Sequence, residues 1–255
     1  NDPQPDEDPN RGTLLIRNQP PGAPTAAFPA KDIVDAGFLE LVRYGIRKPG
    51  DPLVEDSLRV VDAVLKVDTP FGPCWRRYNR DAYGQREDAG PYQGWGRGRA
   101  WPLLTGERGH YELAAGRDVL PFLRAMESFA TATGLLAEQI WDEPDRPKAH
   151  MFFGRPTGSA MPLVWAHAEY LKLVRSATDG KVFDLIPEVA DRYLKRRTVK
   201  PMEVWKFNRQ VKIIRSGGTL RIQASVPFRL HWTGDKGQKA HDASSTPTEV
   251  GKMLQ

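Results

Sequence analysis

The segment Asp51-Pro52-Leu53-Val54-Glu55-Asp56-Ser57-Leu58-Arg59-Val60-Val61-Asp62-Ala63-Val64-Leu65 decides the fold class. An aspartate followed by proline opens a helix, because the carboxylate caps a free N–H and proline needs none in the first turn. Val54, Leu58, Val61 and Leu65 then recur at helical spacing and define one buried face. The same grammar repeats on both sides. Upstream, Asp32 can cap a segment whose Val34, Phe38, Val42 and Ile46 share a stripe. Downstream, one segment runs from Arg99 to Ala115 and stops at Gly116. Another is capped by Asp118, buries Phe122, Met126 and Phe129, and ends at Gly134. Ser159 caps a fifth, with Pro162 in its first turn and Val164, Ala168, Leu171 and Val174 facing inward. Pro187 opens a short sixth. The fold is therefore expected to be mainly α from Asp32 to Arg197.

Beyond Arg197 the period shortens toward two. Val204, Lys206 and Phe207, then Val211–Ile214, Leu220–Ile222 and Val226–Trp232 read as short strands, with Gly217-Gly218 as a hairpin turn between two of them. Residues 198–255 are thus expected to form a small antiparallel β appendage. Residues 1–31 show no period. Their start, Asn1-Asp2-Pro3-Gln4-Pro5-Asp6-Glu7-Asp8-Pro9-Asn10, is acidic and proline-rich, and is expected to be a surface loop or cut site more than the natural start of a domain.

Composition narrows the function classes. The chain has 255 residues, 27% charged and 40% apolar, with a net charge of +5. The basic residues are scattered except for Lys195, Arg196, Arg197 and Lys200, which read as a solvated helix end, so nucleic acid is not an expected partner. No apolar run is long enough to span a membrane. Cys74 is the single cysteine, so no disulfide framework exists within the chain and no zinc cluster is suggested. The five histidines lack metal-ligand spacing, and no metal or cofactor is expected.

Two connections exceed the ~12–15 residues usual for a structureless loop in a compact domain. The first runs from Val67 to Gly98. With the helix start after it, it holds Trp75, Tyr78, Tyr83, Tyr92, Trp95 and Trp101 among Arg76, Arg77, Asp81, Arg97 and Arg99. Flat aromatic faces beside forked donors and carboxylates suit sugars, which present apolar C–H faces and rings of hydroxyls. A tightly folded loop whose aromatics pack over helix ends is the equally weighted alternative. Gly94-Trp95-Gly96-Arg97-Gly98 superficially resembles a phosphate loop, but no strand precedes it. The second connection, from Leu135 to Gly158, opens with Leu135-Leu136-Ala137-Glu138-Gln139-Ile140-Trp141-Asp142. A carboxylate placed directly after an apolar run can sit in a partly dry pocket and be tuned for proton transfer. A capping or salt-bridged surface glutamate is the bland alternative.

Four blocks, in order, carry a family resemblance. Arg77-Tyr78-Asn79-Arg80-Asp81-Ala82-Tyr83-Gly84 resembles the arginine-tyrosine motif of the glucoamylase–glucodextranase family of glycoside hydrolases. Gly98 to Glu112 is similar to that family's next bacterial block, Ala137 to Asp142 to the segment bearing the catalytic base, and Gly158 to Leu171 to the helix after it. The blocks span roughly Asp32 to Tyr193, and the segment from Glu203 to Trp232 resembles the start of an accompanying β domain. Ala82 stands where the family pattern has glycine.

The resemblance implies an (α/α)6 barrel, of which residues 32–197 would form the second half. It implies an α-glucan substrate cut from its end with inversion, and a missing N-terminal half of the same protein as partner and supplier of the general acid. Glu138 would be the catalytic base. Arg77 and Tyr78 would bind hydroxyls of the terminal glucose, Asp81 would support the arginine, and Trp101 and Trp141 would complete the sugar contacts. Glu107 and Glu112 are expected to be structural. Glucodextranase action on α-1,6 bonds, transglucosylation, and a non-catalytic carbohydrate-binding module on the same fold are the alternatives. Bacterial relatives suggest a secreted or periplasmic location.

Overall fold

The computed structural model describes residues 12–197, 202–207, 209–234 and 239–246. The acidic start at Asn1–Asn10 and Lys200 of the basic cluster lie outside the described residues. Two compact units emerge. One comprises residues 15–28 and 32–197, the other, of the described residues, 12–14, 29–31, 202–207, 209–234 and 239–246. Within the expected loop at 1–31, strands β1 (Thr13–Ile16) and β2 (Ala26–Pro29) pair with each other.

The larger unit is mainly helical. Its helices are α1 (Glu40–Arg43), α2 (Pro52–Leu65), α3 (Pro102–Ala114), α4 (Leu120–Phe129), α5 (Val164–Asp179) and α6 (Pro187–Ala190). A π-turn, Asp191–Lys195, continues α6. Helix α2 follows the sequence reading closely: the Asp51 side chain accepts from the Leu53 N–H at 2.9 Å, and Val54, Leu58, Val61 and Leu65 are buried. Helix α3 is the central one, packed on α4, on α5 and on a strand described below. Its contact with α5 is close because Gly106 and Gly109 face that helix. A Cβ at Gly106 would lie 2.6 Å from Glu169 Cγ, and one at Gly109 2.8 Å from Leu173 Cδ2.

Three expectations are corrected here. The first helix is mostly absent. Asp35 Oδ1 takes the Gly37 N–H and Asn79 Oδ1 takes that of Val34, so side chains capture backbone donors that a helix would use. What remains is a 3₁₀ turn at Gly37–Leu39 and the single turn α1. The fifth helix starts at Val164, not at Ser159, whose hydroxyl instead accepts from the Gln139 N–H. Its buried face is also a different one. Ala166, Glu169, Leu173 and Ser176 face inward, while Val164, Trp165 and Leu171 are 77%, 59% and 65% exposed.

The reason is polar. Glu169 receives a forked pair of hydrogen bonds from Arg43, at 2.9 and 3.0 Å, and pairs with His110 Nδ1 at 2.8 Å. Arg43 also binds Asp184, which Lys172 joins at 3.2 Å. Burial alone would raise the Glu169 carboxyl, yet His110 and Arg43 hold it below the usual carboxylate range. A charge satisfied in this way can occupy a core position that a periodicity reading reserves for apolar residues.

Also within the first long connection, a sheet replaces loop. Strands β3 (Lys66–Thr69) and β4 (Gly72–Arg76) form a hairpin, and β4 pairs on its other edge with β5 (Ala100–Trp101) in the register Trp75↔Trp101 and Arg76↔Ala100. All three strands run antiparallel.

Glu112 has the structural role expected of it, accepting from Arg108 at 2.5 Å and pairing with Arg117. Glu107 differs. It borders a small apolar pocket with Leu39, Leu58, Val61 and Trp75, and has no ion pair or hydrogen bond among the described residues. Burial, then the nearby charges of Glu169 and Glu40, push its carboxyl up to about 7. Below about pH 4.5 it is neutral in both folded and unfolded chains. As pH rises toward 7 only the unfolded chain ionises, so stability falls across that window and the loss is complete above it. Glu107→Gln should flatten the melting temperature between pH 4.5 and 7.5 and raise it at pH 8, which thermal melts of both proteins across that range would read.

In the smaller unit, β6 (Met202–Trp205) and β7 (Thr219–Ile222) pair in parallel, and β8 (Arg229–Thr233) and β9 (Ala240–Ser244) pair antiparallel. The expected hairpin at Gly217-Gly218 is therefore corrected. A turn does form, with the Gly218 N–H on the Arg215 carbonyl, but Val211–Ile214 is not a strand. The chain between Trp205 and Thr219 is long enough for the crossover that a parallel pair requires.

Candidate active site

The three-stranded sheet carries the site. Ile140 N–H donates to the Ala100 carbonyl at 2.9 Å and bridges to Pro156 on its other side, so the segment after Glu138 extends the line begun by β4 and β5. Glu138 itself is fixed by its N–H on the Ala160 carbonyl at 2.8 Å.

Arg77 follows β4 directly. Asp81 grips it with both carboxylate oxygens, at 2.8 Å from Nε and 2.9 Å from Nη2. Burial works against the Arg77 charge, but Asp81 more than offsets it, and the guanidinium also feels the charge of Glu138. Its Cζ lies 5.0 Å from the Tyr83 ring, 4.9 Å from Trp101 and 5.4 Å from Tyr78. The Tyr83 hydroxyl in turn stands 3.5 and 3.4 Å from the two oxygens of Glu138. Arg77 and Glu138, drawn from two long connections, thus both approach the Tyr83 side chain, with Asp81 and Tyr78 beside Arg77. Tyr78 and Glu138 are half-buried, and Asp81 is buried behind Arg77.

Gly98 allows that closeness: a Cβ there would lie 2.4 Å from Asp81 Cβ, and its N–H donates to the Asp81 carbonyl at 2.6 Å. Gln139, 1% exposed, sews the two connections together. Its amide nitrogen donates to the Tyr83 carbonyl at 3.2 Å and its oxygen accepts from the Arg99 N–H at 3.3 Å.

The two tryptophans are not free sugar platforms. Trp101 is 4% exposed and lies beneath Arg77 and Tyr83, so it backs these residues more than it faces solvent. Trp141 is corrected outright as a sugar contact. It is wholly buried, its indole N–H is spent on the Pro144 carbonyl at 2.9 Å, and Arg99 covers its ring at 4.1 Å.

Arg99 is the hidden strut of the site. It is fully buried and binds Asp142 Oδ1 at 2.9 Å, the Gln85 carbonyl at 2.8 Å and the Arg86 carbonyl at 2.8 Å. Asp142 Oδ2 accepts from Arg76 Nε at 2.7 Å. One carboxylate therefore ties the strand before Arg77 to the segment after Glu138. Arg76, Arg99 and Asp142 went unread as a cluster in the sequence because they are far apart along the chain.

A separate open cleft, lined by Arg47, Pro49, Asp51, Tyr193 and Arg197, shares no residue with this site. Among the described residues no group of three or more His, Cys, Asp and Glu side chains is arranged to hold a metal, and no helix is long and apolar enough to cross a membrane.

A carboxylate beside a clamped arginine and a phenol, framed by aromatics, can carry acid–base chemistry. The chain belongs to glycosyl hydrolases family 15, which matches residues 8–175. A glucoamylase from Clostridium sp. is 51% identical over 167 residues, covering 66% of this chain and 22% of that protein. The crystal structure of a bacterial glucoamylase complexed with acarbose superposes with a TM-score of 0.63 at 44% identity, over 72% of this chain and 25% of its own. The chain therefore spans about a fifth to a quarter of the length of these relatives.

Proposed function

We propose that this chain supplies the base-bearing part of a glucan α-glucosidase that releases glucose from chain ends with inversion. The observation that carries the reading is the meeting of Arg77, clamped by Asp81, with Glu138 across the Tyr83 ring. Glu138 is the general base that takes a proton from the attacking water. Arg77 and Tyr78 bind hydroxyls of the terminal glucose, and Asp81 fixes the direction of the arginine fork. An inverting reaction needs a second carboxyl roughly 6.5–9.5 Å from the first, with a water between base and sugar. That acid comes from the remainder of the protein, which with residues 32–197 completes an (α/α)6 barrel. The exposed Val164, Trp165 and Leu171 on α5 suit contact with that remainder.

The test is a chimera that carries this chain in place of the matching segment of the Clostridium glucoamylase. It should release glucose from starch, with isomaltose and dextran as the arms that reveal α-1,6 action. No glucose from any of them removes the reading and leaves a non-catalytic module. Within the chimera, Arg77→Ala should raise KM and lower kcat together, because the lost fork both binds and orients the ring. Loss of kcat alone, with KM unmoved, would show that Arg77 does not hold the sugar.

A further inference from the structure

Tyr83 is held more firmly than a loop aromatic requires. Its N–H donates to Asp81 Oδ1 at 3.0 Å, and its carbonyl accepts from Gln139 at 3.2 Å. Its ring packs edge-on against Tyr92 at 5.0 Å and tilted over Trp101 at 6.4 Å, with Arg77 on its face. The backbone is thus fixed both to the residue that grips Arg77 and to the residue next to Glu138, and the ring is held among Tyr92, Trp101 and Arg77. The hydroxyl is the one part left to act, and it lies almost equally far from both Glu138 oxygens.

We propose that Tyr83 is a positioning residue for Glu138: its hydroxyl donates to the carboxylate, fixes its plane against Arg77 and stabilises its ionised form. The inference rests on the reading of Glu138 as the base. At 3.4–3.5 Å the contact is a long hydrogen bond, and a shift of under an ångström closes it, as such contacts do when substrate binds. Burial, followed by the charge of Glu138, raises the Tyr83 phenol above its ordinary value, so the hydroxyl is kept as a proton donor at neutral pH. Arg77, which feels the charge of Glu138, is already committed to Asp81. His167 on α5 is engaged with the Leu136 N–H at 3.0 Å through Nε2.

The experiment is the pH dependence of kcat/KM in the chimera for Tyr83→Phe, beside the parent and Glu138→Gln. Removing a donor from a carboxylate raises its pKa, so the acid limb should move up by about 0.5–1 pH unit and kcat at the optimum should fall roughly 3- to 30-fold, with KM within about twofold. A merely structural loss would lower kcat or the melting temperature and leave the limb in place. Incorporation of 2,3-difluorotyrosine at position 83, a stronger donor of nearly the same shape, should move the limb the opposite way and keeps the test open if the phenylalanine variant folds poorly. An acid limb that stays where the parent has it in both variants overturns the inference. If Glu138→Gln retains turnover, the assignment of the base fails instead, which is a separate result.

Discussion

Glu138→Gln in the chimera is expected to slow glucose release by about 10²–10⁴-fold, the usual worth of general-base assistance, while a glucose oligomer still binds with nearly parental affinity. The amide keeps the shape of the side chain, and the backbone anchor of residue 138 on the Ala160 carbonyl is untouched. What disappears is the acceptor for the water's proton. In the proposed reading sugar binding rests on Arg77 and Tyr78, and the clamp of Asp81 on Arg77 does not involve Glu138. Single-turnover kinetics with direct titration of the oligomer separates the two effects. Turnover near the parental rate would end the assignment of Glu138 as the base.

The largest stability effect should come from a residue that touches no substrate. Arg99→Met removes a fully buried cation from Asp142 and from the carbonyls of Gln85 and Arg86. Asp142 would keep only Arg76, and breaking a buried pair from one side costs about 3–5 kcal/mol. For a protein of this size that is a fall of roughly 6–20 °C in melting temperature. The double change Arg99→Met with Asp142→Leu should recover part of the loss, because the fully buried carboxylate goes with its buried partner and only the part-exposed Arg76 is left unpaired. Calorimetry of the three proteins decides it. A single variant that melts within a degree or two of the parent would show that Asp142 is satisfied without Arg99.

Capping and apolar spacing read from the sequence served α2 well, and the same agreement misled at Asp32, where the side chains of Asp35 and Asn79 take the backbone donors. Asp51-Pro52 marks the start of α2, and the four residues expected inside it are inside. Agreement failed where polar groups entered the core. Glu169 and Ser176 occupy the buried face of α5, and Leu171 and Val164 are turned out, so a periodicity argument that sends every apolar residue inward picks the wrong stripe. Lys66–Thr69 is too short to show a strand period beside the end of a long helix, and β3 was hidden for that reason. At the site, Arg77, Tyr78, Asp81 and Glu138 stood out through the family resemblance of their motifs, while residue type alone left Glu138 as readily a surface glutamate. Their geometric hinge, Tyr83, read only as one aromatic among many. Asp81-Ala82-Tyr83 did hold a signal, since an aspartate whose side chain takes the N–H two residues on makes a tight local turn. Trp141 shows the converse: large aromatics beside a motif are as readily core as binding surface.

The shared carboxylate of Asp142 has a consequence for how such an enzyme can change. It welds the strand before Arg77 to the segment after Glu138, so the spacing between them behaves as a gauge block, set once and indifferent to its surroundings. The tip of the same connection lies outside that weld. Glu87 and Asp88, and the run from Pro91 to Gly94, are exposed to solvent. In the proposed reading, exchanges at Glu87 and Asp88 can reshape the rim without touching Tyr83, whereas Tyr92 packs on the Tyr83 ring and is tied to the site. In the same reading, bond-breaking geometry is held by the welded stretches of both connections and the exposed tip of the first is left outside them, so the two can drift at different rates.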